Sequence, residues 1–188
     1  MNIQVIVNEH IAVAKSLLGM EKEILEASKI CEAAILRGNK ILLAGNGGSA
    51  ADAQHIAAEF VGRYVKNRAS MPAIALTTDS SALTAIANDY GFEHVFSRQL
   101  EGLGIEGDVF IGISTSGNSA NIVKAVEVAR QKRIKIILLL GNEGGALGKK
   151  RLVADENELL LIVPSKTTAR VQEMHIFIGH IICQYLEN

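Results

Sequence analysis

Short runs of apolar residues alternate along this chain with longer stretches in which apolar residues recur every third or fourth position. The short runs hold four to seven residues, a length typical of strands that are buried on both faces of a parallel sheet. Residues that favour turns lie beside most of them. We therefore predict five strands, at residues 41–44, 73–76, 108–113, 134–140 and 159–163.

The stretches with helical periodicity lie between these strands and at both ends of the chain. One helix follows the glycine-rich residues 45–48 and continues to Gly62, and residues 88–91 read as a turn between two other helices. The alternation of strands and helices indicates right-handed βαβ units. The predicted fold is α/β, a three-layer sandwich around a five-stranded parallel sheet of the flavodoxin-like kind. The remaining helices are predicted at residues 2–19, 21–37, 81–87, 92–103, 120–132 and 167–186.

At 188 residues the chain is expected to form one domain with a single sizeable core. We divide it into N-terminal helices at residues 1–37 and an α/β core at residues 38–188. Two helices before the first strand are more than a βαβ unit needs. Their apolar surface therefore packs either on their own sheet or on another subunit.

The composition offers no charged surface for nucleic acid or for a membrane. Hydrophobic residues make up 48% of the chain and charged residues 21%, and the net charge is −1. The chain has no tryptophan and few aromatic residues, so stacking on nucleic-acid bases is not indicated. We expect neither a nucleic-acid nor a membrane partner.

Cysteine usage and the N-terminus favour a cytoplasmic protein. Cys31 and Cys183 lie in helical apolar patterns without metal-type spacing, and they predict buried free thiols in a reducing compartment. The N-terminal stretch contains Glu9 and His10 and lacks the basic segment of a signal peptide. No run approaches the ~18 apolar residues that indicate a membrane span.

The first predicted strand leads into the sequence GNGGS at residues 45–49, and a helix follows. Glycine lets the backbone turn tightly and approach a ligand closely. Ser49 or Asn46 is the expected N-cap of the helix. Because free N–H groups point outward from a helix N-terminus, this glycine loop is a candidate anion site.

The third predicted strand leads into the sequence STSGNS at residues 114–119, the hydroxyl loop. Its four hydroxyl groups, with N–H groups of the next helix, can surround a phosphate without a lysine. Simple helix capping by Ser119 and its neighbours is the alternative, although a cap needs fewer hydroxyls. Neither loop matches the GxxxxGK[ST] or GxGxxG nucleotide-binding patterns. Because the carboxyl ends of parallel strands share one edge, we expect both loops at that edge.

His55 and Glu59 lie four residues apart, hence on one face of the helix after the glycine loop. They form a candidate metal or acid–base pair, or else an exposed pair that contributes little. A buried polar group must be satisfied, so at least one polar residue of the C-terminal helix is expected to have a partner. Each histidine there is either a core residue or a ligand. These polar residues are Gln172, Glu173, His175 and His180.

Four sequence motifs follow one another: GNGGSAADAQHIAAEFVGR, LTAIANDYGFEHVFSRQL, STSGNSANI, and ARVQEMH together with His180. They closely resemble the motifs of the phosphoheptose isomerases, members of the sugar-isomerase (SIS) family. The resemblance extends over roughly residues 30–185 in register. A serine-rich loop alone would indicate only phosphosugar binding, whereas four motifs in order are specific.

The resemblance implies the SIS fold, a homotetramer with sites between subunits, and one zinc ion per subunit. It implies isomerisation of sedoheptulose 7-phosphate to D-glycero-D-manno-heptose 7-phosphate through an enediol, toward the heptose of bacterial lipopolysaccharide. The implied phosphate ligands are Ser114, Thr115, Ser116 and Ser119. The implied sugar-binding residues are Asn46, Gly47, Gly48, Asn88, Asp89, Glu59 and Gln172. The implied zinc ligands are His55, Glu59, Gln172 and His180.

Within this resemblance Glu59 is the catalytic base and His180 its acid–base partner. Aldose–ketose exchange moves a proton between C1 and C2, and an imidazole titrates near neutral pH. Zinc would polarise the carbonyl. Gln172 and His180 are separated by about 12 Å of helix rise, so their side chains must converge on one ion, or one of them serves a neighbouring subunit. Some relatives carry an acidic residue at the position of Ala169, whose role is missing or replaced here.

Two other functions stay open at this point. The replication initiator-associating proteins resemble the same family and act by binding a protein partner. Another SIS isomerase would differ only in its sugar phosphate. The presence of all four implied zinc ligands favours an enzyme, because a binding protein has no need of the set.

Overall fold

The computed structural model describes residues 1–149 and 157–188. Its five strands are β1 (Ile41–Ala44), β2 (Ala73–Ala75), β3 (Val109–Ser114), β4 (Lys135–Gly141) and β5 (Glu158–Val163). They form one sheet in the order β2-β1-β3-β4-β5, and every neighbouring pair is parallel. Each strand begins and ends within one residue of its predicted position. The predicted sheet is confirmed.

The helices lie between the strands and at both ends of the chain. A 3₁₀ turn at Leu17–Met20 separates the first two, and the short helix that follows β4 was not predicted. None of the helices in residues 1–149 and 157–188 has the length and apolarity that a membrane crossing requires. The helices are α1 (Ile3–Ser16), α2 (Glu21–Leu36), α3 (Gly48–Val61), α4 (Ser80–Tyr90), α5 (Ser97–Leu103), α6 (Ala120–Gln131), α7 (Gly145–Lys149) and α8 (Thr168–Leu186).

Two expectations about the segment between β2 and β3 are wrong. The turn predicted at residues 88–91 is helical as far as Tyr90, and Gly91, with φ of 91°, ends α4. Because glycine adopts this conformation readily, it ends the helix by itself and the residues before it need not turn. The single helix predicted at residues 92–103 is a 3₁₀ turn at Phe92–His94 followed by α5.

Helices cover both faces of the sheet, and alternate residues of β1 belong to two hydrophobic layers. Ile41 and Leu43 pack in the layer formed with α2, α3 and α8, whereas Leu42 and Ala44 pack in the layer formed with α5 and α6. All four side chains are fully buried. Burial on both faces explains why β1, β3 and β4 read as continuous apolar runs, whereas Ile74 of the edge strand β2 is exposed. The predicted three-layer arrangement is confirmed.

The N-terminal helices differ in burial. α2 packs against α8 and the sheet, and its Cys31 lies with Cys183 in the core, where both are free thiols as predicted. None of the described residues of α1 is buried. Its exposed apolar side chains are Ile3, Val5, Ile6, Val7 and Ile11.

The carboxyl ends of β1 and β3 lie side by side, because Ala44 pairs with Gly112. β1 leads through the glycine loop into α3, and β3 leads through the hydroxyl loop into α6. The strand order reverses at β1, which has β2 on one side and β3 on the other. Parallel α/β sheets bind ligands at such a point. The expectation that both loops lie at one edge is confirmed.

Candidate active site

Two histidines and a glutamate meet where α3 packs against α8. His55 Nε2 lies 3.1 Å from His180 Nε2 and 3.3 Å from Glu59 Oε1. The ligand atoms of the three residues all lie within 4.8 Å of one another. The side chain of His55 is 51% exposed, so the cluster is open to solvent on that side. The predicted shared face of His55 and Glu59 is confirmed, and the fold adds His180.

The approach of α3 to α8 depends on a glycine beside His180. A Cβ atom at Gly179 would lie 2.5 Å from Cδ1 and 2.6 Å from Cγ1 of Ile56. Ile56 is buried in the core and is the neighbour of His55 in sequence. The missing side chain at Gly179 therefore sets the helix separation at which the two imidazoles meet.

The donor atoms of the cluster fit a divalent transition-metal ion. Imidazole nitrogens and a carboxylate oxygen suit such ions, and donors around one ion stand roughly 3–3.5 Å apart when each bond is about 2 Å. The observed separations of 3.1 and 3.3 Å match this. Desolvation and the neighbouring His55 lower the pKa of His180, while Glu59 opposes them. The neutral imidazole is the form that binds a metal.

Gln172, the fourth implied metal ligand, contacts the start of α3. Its Nε2 lies 3.5 Å from Ser49 Oγ, and a Cβ atom at Gly48 would be 2.6 Å from that nitrogen. These partners precede His55 by roughly two helical turns. The ligand role of Gln172 stays a prediction.

The N-cap of α3 is Gly47, so the prediction of Ser49 or Asn46 is wrong. Gly47 has φ of 56° and carries no side chain for capping. The N–H groups of Ser49 and Ala50 instead donate to the carbonyl oxygens of Asn46 and Gly47, each at 3.0 Å. The main chain closes this turn by itself, which glycine permits. The anion-binding role of the glycine loop stays a prediction.

Asn46 ties the glycine loop to the start of α6. Its Nδ2 donates to Asn121 Oδ1 at 2.9 Å, and Asn121 Nδ2 donates to Asn46 Oδ1 at 2.8 Å. Asn121 is buried. The sequence reasoning missed this residue, although it lies within the motif STSGNSANI.

Part of the hydroxyl loop lines a polar cavity. Gly117, with φ of 65°, lies so close to the next loop that a Cβ atom would be 1.9 Å from the carbonyl oxygen of Gly144. Hydroxyl and amide groups with one lysine suit a phosphate. The cavity has a volume of about 290 Å³ and is lined by Thr115, Ser116, Asn118, Asn142, Ser165, Lys166, Thr168 and Val171.

The other two hydroxyl residues of the loop face each other. Ser114 Oγ and Ser119 Oγ are 2.9 Å apart. Ser119 is the N-cap of α6, as the capping alternative expects, but its side chain makes no capping hydrogen bond. Ser119 lines a second cavity, of about 500 Å³, together with Asn46 and Gly47.

Three further positions implied by the resemblance are exposed. Asn88 and Asp89 lie in the last turn of α4, where Asn88 Nδ2 donates to Asp89 Oδ1 at 2.8 Å. Their sugar-binding roles stay predictions. Ala169 is exposed in the first turn of α8, and the chain offers no carboxylate at that position.

The polar residues of α8 have partners, as predicted. Glu173 Oε2 lies 2.8 Å from His10 Nδ1 of α1. His175 is fully buried, and its Nε2 donates to the carbonyl oxygen of Leu140 at 2.9 Å. Burial lowers the pKa of His175 to about 4, against the opposing effect of this hydrogen bond. His175 is therefore a core residue, whereas His180 belongs to the cluster.

The structure adds two residues near the cluster that the sequence reasoning did not consider. Asp52 precedes His55 by one turn, and its buried Oδ2 has no hydrogen-bond partner among residues 1–149 and 157–188. Burial raises the pKa of Asp52 to about 6, although His55 acts to lower it. The ring of Tyr64 stacks on His180, with centroids 5.4 Å apart. Helical spacing could have indicated Asp52, but the contact of Tyr64 is tertiary.

Comparison with known proteins places this arrangement in a family. The model of the SIS domain matches residues 10–141. The chain is 58% identical over 165 residues to a phosphoheptose isomerase of Sulfurimonas denitrificans, covering 88% of this chain and 82% of the relative. It is 61% identical over 150 residues to a phosphoheptose isomerase of Aneurinibacillus thermoaerophilus, covering 80% of this chain and 73% of that relative.

Solved structures give the same result along nearly the whole length. The phosphoheptose isomerase of Neisseria gonorrhoeae superposes with a TM-score of 0.86 at 43% identity, covering 99% of both chains. The phosphoheptose isomerase of Francisella tularensis superposes with a TM-score of 0.90 at 34% identity, covering 98% of this chain and 96% of that one. The fold expected from the resemblance is confirmed.

Proposed function

The chain belongs to the SIS domain family, and from this membership we infer that it is an aldose–ketose isomerase of the phosphoheptose isomerase kind. Its reaction is the isomerisation of sedoheptulose 7-phosphate to D-glycero-D-manno-heptose 7-phosphate. The observation that carries this function is the cluster of His55, Glu59 and His180, whose ligand atoms lie within 4.8 Å of one another. A protein that acts only by binding a partner does not need such a set.

We propose that the phosphate binds in the cavity of the hydroxyl loop. Thr115 and Ser116 line that cavity, and Lys166 adds a positive charge to it. Ser114 and Ser119 would add two further hydroxyl groups to the phosphate site. These two hydroxyls already lie side by side and bond to each other. Hydrogen bonds to a charged phosphate are roughly twice as strong as neutral ones, so a few hydroxyls can hold it. The residues proposed to contact the sugar are Asn46, Gly47, Gly48, Asn88, Asp89, Glu59 and Gln172.

We propose that the cluster binds one zinc ion. Two imidazoles and a carboxylate are typical protein ligands of catalytic zinc, which keeps a further position open. Gln172 would be the fourth ligand if its side chain moves away from Ser49, to which it makes a long contact of 3.5 Å. When bound, zinc supplies a Lewis acid beside the substrate carbonyl.

Glu59 is the proposed base, and His180 the proposed acid–base partner. A carboxylate has two oxygens, so one can face the ion while the other takes a proton from the sugar carbon. His180 is proposed to exchange a proton with the sugar oxygens, because an imidazole titrates near neutral pH. The neutral imidazole accepts a proton and returns it.

Three further proposals concern the whole protein. We propose that residues 1–188 form one SIS domain, with helices at 1–37 and the α/β core at 38–188. A homotetramer is supported by the exposed apolar side chains of α1 and by the open side of the cluster at His55. A cytoplasmic location is supported by the two free cysteines, since a reducing compartment keeps thiols unpaired.

The experiment is to incubate the purified protein with sedoheptulose 7-phosphate, with and without zinc, and to follow the carbon signals by NMR. Conversion to an aldose phosphate is the expected result. No conversion by folded protein at saturating zinc would contradict the isomerase function and favour the binding-protein alternative. Faster conversion of a ketose phosphate of another chain length would identify a different SIS isomerase.

A further inference from the structure

The last residues of the chain hold the segment that follows α3. Glu187, just after α8, accepts hydrogen bonds from the backbone N–H groups of Tyr64, Val65 and Lys66, at 2.8, 2.8 and 2.7 Å. Desolvation acts to raise the pKa of Glu187, but these donors and Arg68 lower it to about 2. The carboxylate is therefore charged at neutral pH, the form that accepts these hydrogen bonds best.

Arg68 joins this carboxylate to the end of α3. Its Nε lies 3.3 Å from Glu187 Oε1, and both side chains are largely buried. Its two terminal nitrogens donate to the carbonyl oxygens of Glu59 at 2.7 Å and Phe60 at 2.9 Å. The last carbonyls of a helix have no partner within the helix. Arg68 therefore fixes the backbone of the turn that carries the Glu59 side chain.

Tyr64 connects the same segment to His180. The two rings stack with centroids 5.4 Å apart and planes 29° apart. On another side His180 meets His55 edge to face, with centroids 5.2 Å apart. The imidazole of His180 is thus held between Tyr64 and His55. Glu187, which anchors Tyr64, lies directly after α8, the helix that carries His180.

We propose that Tyr64, Arg68 and Glu187 form a clamp that positions His180 and Glu59 for the reaction. The proposal rests on the proposed function. Catalytic groups must be held within roughly 0.5 Å and 10–20° of the productive geometry by packing and hydrogen bonds of their neighbours. The clamp holds both residues. Tyr64 packs on the ring face of His180, and Arg68 binds the backbone of Glu59. The members of the clamp act through the ring of His180 and the backbone of Glu59, so they are positioning residues.

The test compares Tyr64→Leu, which removes the ring, with Tyr64→Phe, which keeps it. We expect Tyr64→Leu to lower kcat and zinc affinity by roughly 10- to 100-fold, the usual effect of losing a residue that orients a ligand. KM should change little, because none of the three clamp residues is among those that line the cavity of the hydroxyl loop. Tyr64→Phe should retain both values. The matched control is Tyr185→Leu, a half-buried tyrosine of α8, which should behave like the wild type.

Zinc affinity is measured by competition with a chelating dye and needs no sugar. A second readout is the NMR ring-current shift of the His180 imidazole protons in the metal-free protein, which should persist in Tyr64→Phe and vanish in Tyr64→Leu. These readouts keep the proposal testable if the protein fails to isomerise the sugar phosphate. Unchanged zinc affinity and unchanged kcat in folded Tyr64→Leu would overturn it, as would equal losses in Tyr64→Phe.

Glu187→Gln tests the clamp without touching a ring. The neutral amide keeps the size of the side chain but weakens its bonds to Arg68 and the three N–H groups. We expect Glu187→Gln to lower zinc affinity, but by less than Tyr64→Leu does. A lowered melting temperature with wild-type zinc affinity would mean that the clamp only stabilises the chain end, and would overturn the positioning role.

Discussion

Gly179 lies against Ile56 so closely that one methyl group could not be added between them. A Cβ atom at Gly179 would be 2.5 Å from Cδ1 of the buried Ile56 side chain. Isoleucine is stiff at χ1, and this one is almost fully buried in the core. The two residues therefore fix how near His55 and His180 can come to each other.

We expect Gly179→Ala to destabilise the protein and to lower its zinc affinity. Overpacking of a core contact costs typically about 1–3 kcal/mol, partly offset by the roughly 1 kcal/mol by which alanine favours a helix. The measurements are urea unfolding and zinc competition. Adding Ile56→Ala removes the overlapping atoms, so the double variant should regain zinc affinity over Gly179→Ala alone. Wild-type zinc affinity in Gly179→Ala would show that the helix separation does not control the cluster.

Ser116→Ala should raise KM for the sugar phosphate while kcat changes little. Ser116 lines the cavity of the hydroxyl loop, and a hydrogen bond to a charged group contributes roughly 1.5–3 kcal/mol. The expected increase in KM is therefore about ten-fold or more. Ser119→Ala should act in the same direction. Ser70→Ala, at an exposed serine outside the helices and strands, is the control. An unchanged KM in both loop variants would contradict the proposal that the phosphate binds at the hydroxyl loop.

Glu59→Gln at saturating zinc separates a base from a metal ligand. If Glu59 only held the ion, excess zinc would restore the rate. As the base it contributes roughly 10²- to 10⁴-fold, which added metal cannot replace, and this is the outcome we expect. Incorporation of solvent deuterium at the substrate carbon reports the proton transfer directly. Glu23→Gln, on the exposed side of α2, is the control. Deuterium incorporation by Glu59→Gln at the wild-type rate would show that another group is the base.

His175 predicts that the protein loses stability in mild acid. Burial lowers its pKa from the ordinary 6.5 to about 4, so the unfolded chain binds more protons between these values. The free energy of unfolding should be fully retained above about pH 6.5 and should fall toward about pH 4, by up to about 3 kcal/mol from this residue.

The variant His175→Gln can still donate to Leu140 but has no proton to gain. It should be less stable at neutral pH and show a flatter pH dependence. Urea unfolding at a series of pH values measures this. His94→Gln, at a histidine outside α8, should keep the wild-type dependence. An equally steep dependence in His175→Gln would assign the acid sensitivity to other groups.

Strands β1, β3 and β4 were predictable because burial on both faces requires a continuous apolar run, and all five strands were placed within one residue. Local ends were less predictable. Residues 88–91 have turn composition, yet the positive φ of Gly91 alone ends α4. The N-cap of α3 was misplaced for a similar reason, since Gly47 closes that turn with main-chain bonds instead of a side chain.

The candidate site was predictable only where its residues are neighbours on one helix or belong to a recognised motif. His55 and Glu59 share a helix face, so spacing alone indicated them. The partner of His55 on α8 lies 125 residues away and was indicated by the resemblance, not by spacing. Glu187 and Tyr64 are 123 residues apart, and no local sequence pattern predicts their contact.

The distance along the chain between α3 and α8 has a consequence for how the protein is made. Chains emerge from the ribosome N-terminus first, and early segments can begin to fold before later ones exist. Two of the three cluster residues, His55 and Glu59, lie on α3 and are synthesised well before α8, which carries His180. A nascent or prematurely terminated chain that lacks α8 therefore cannot assemble the cluster.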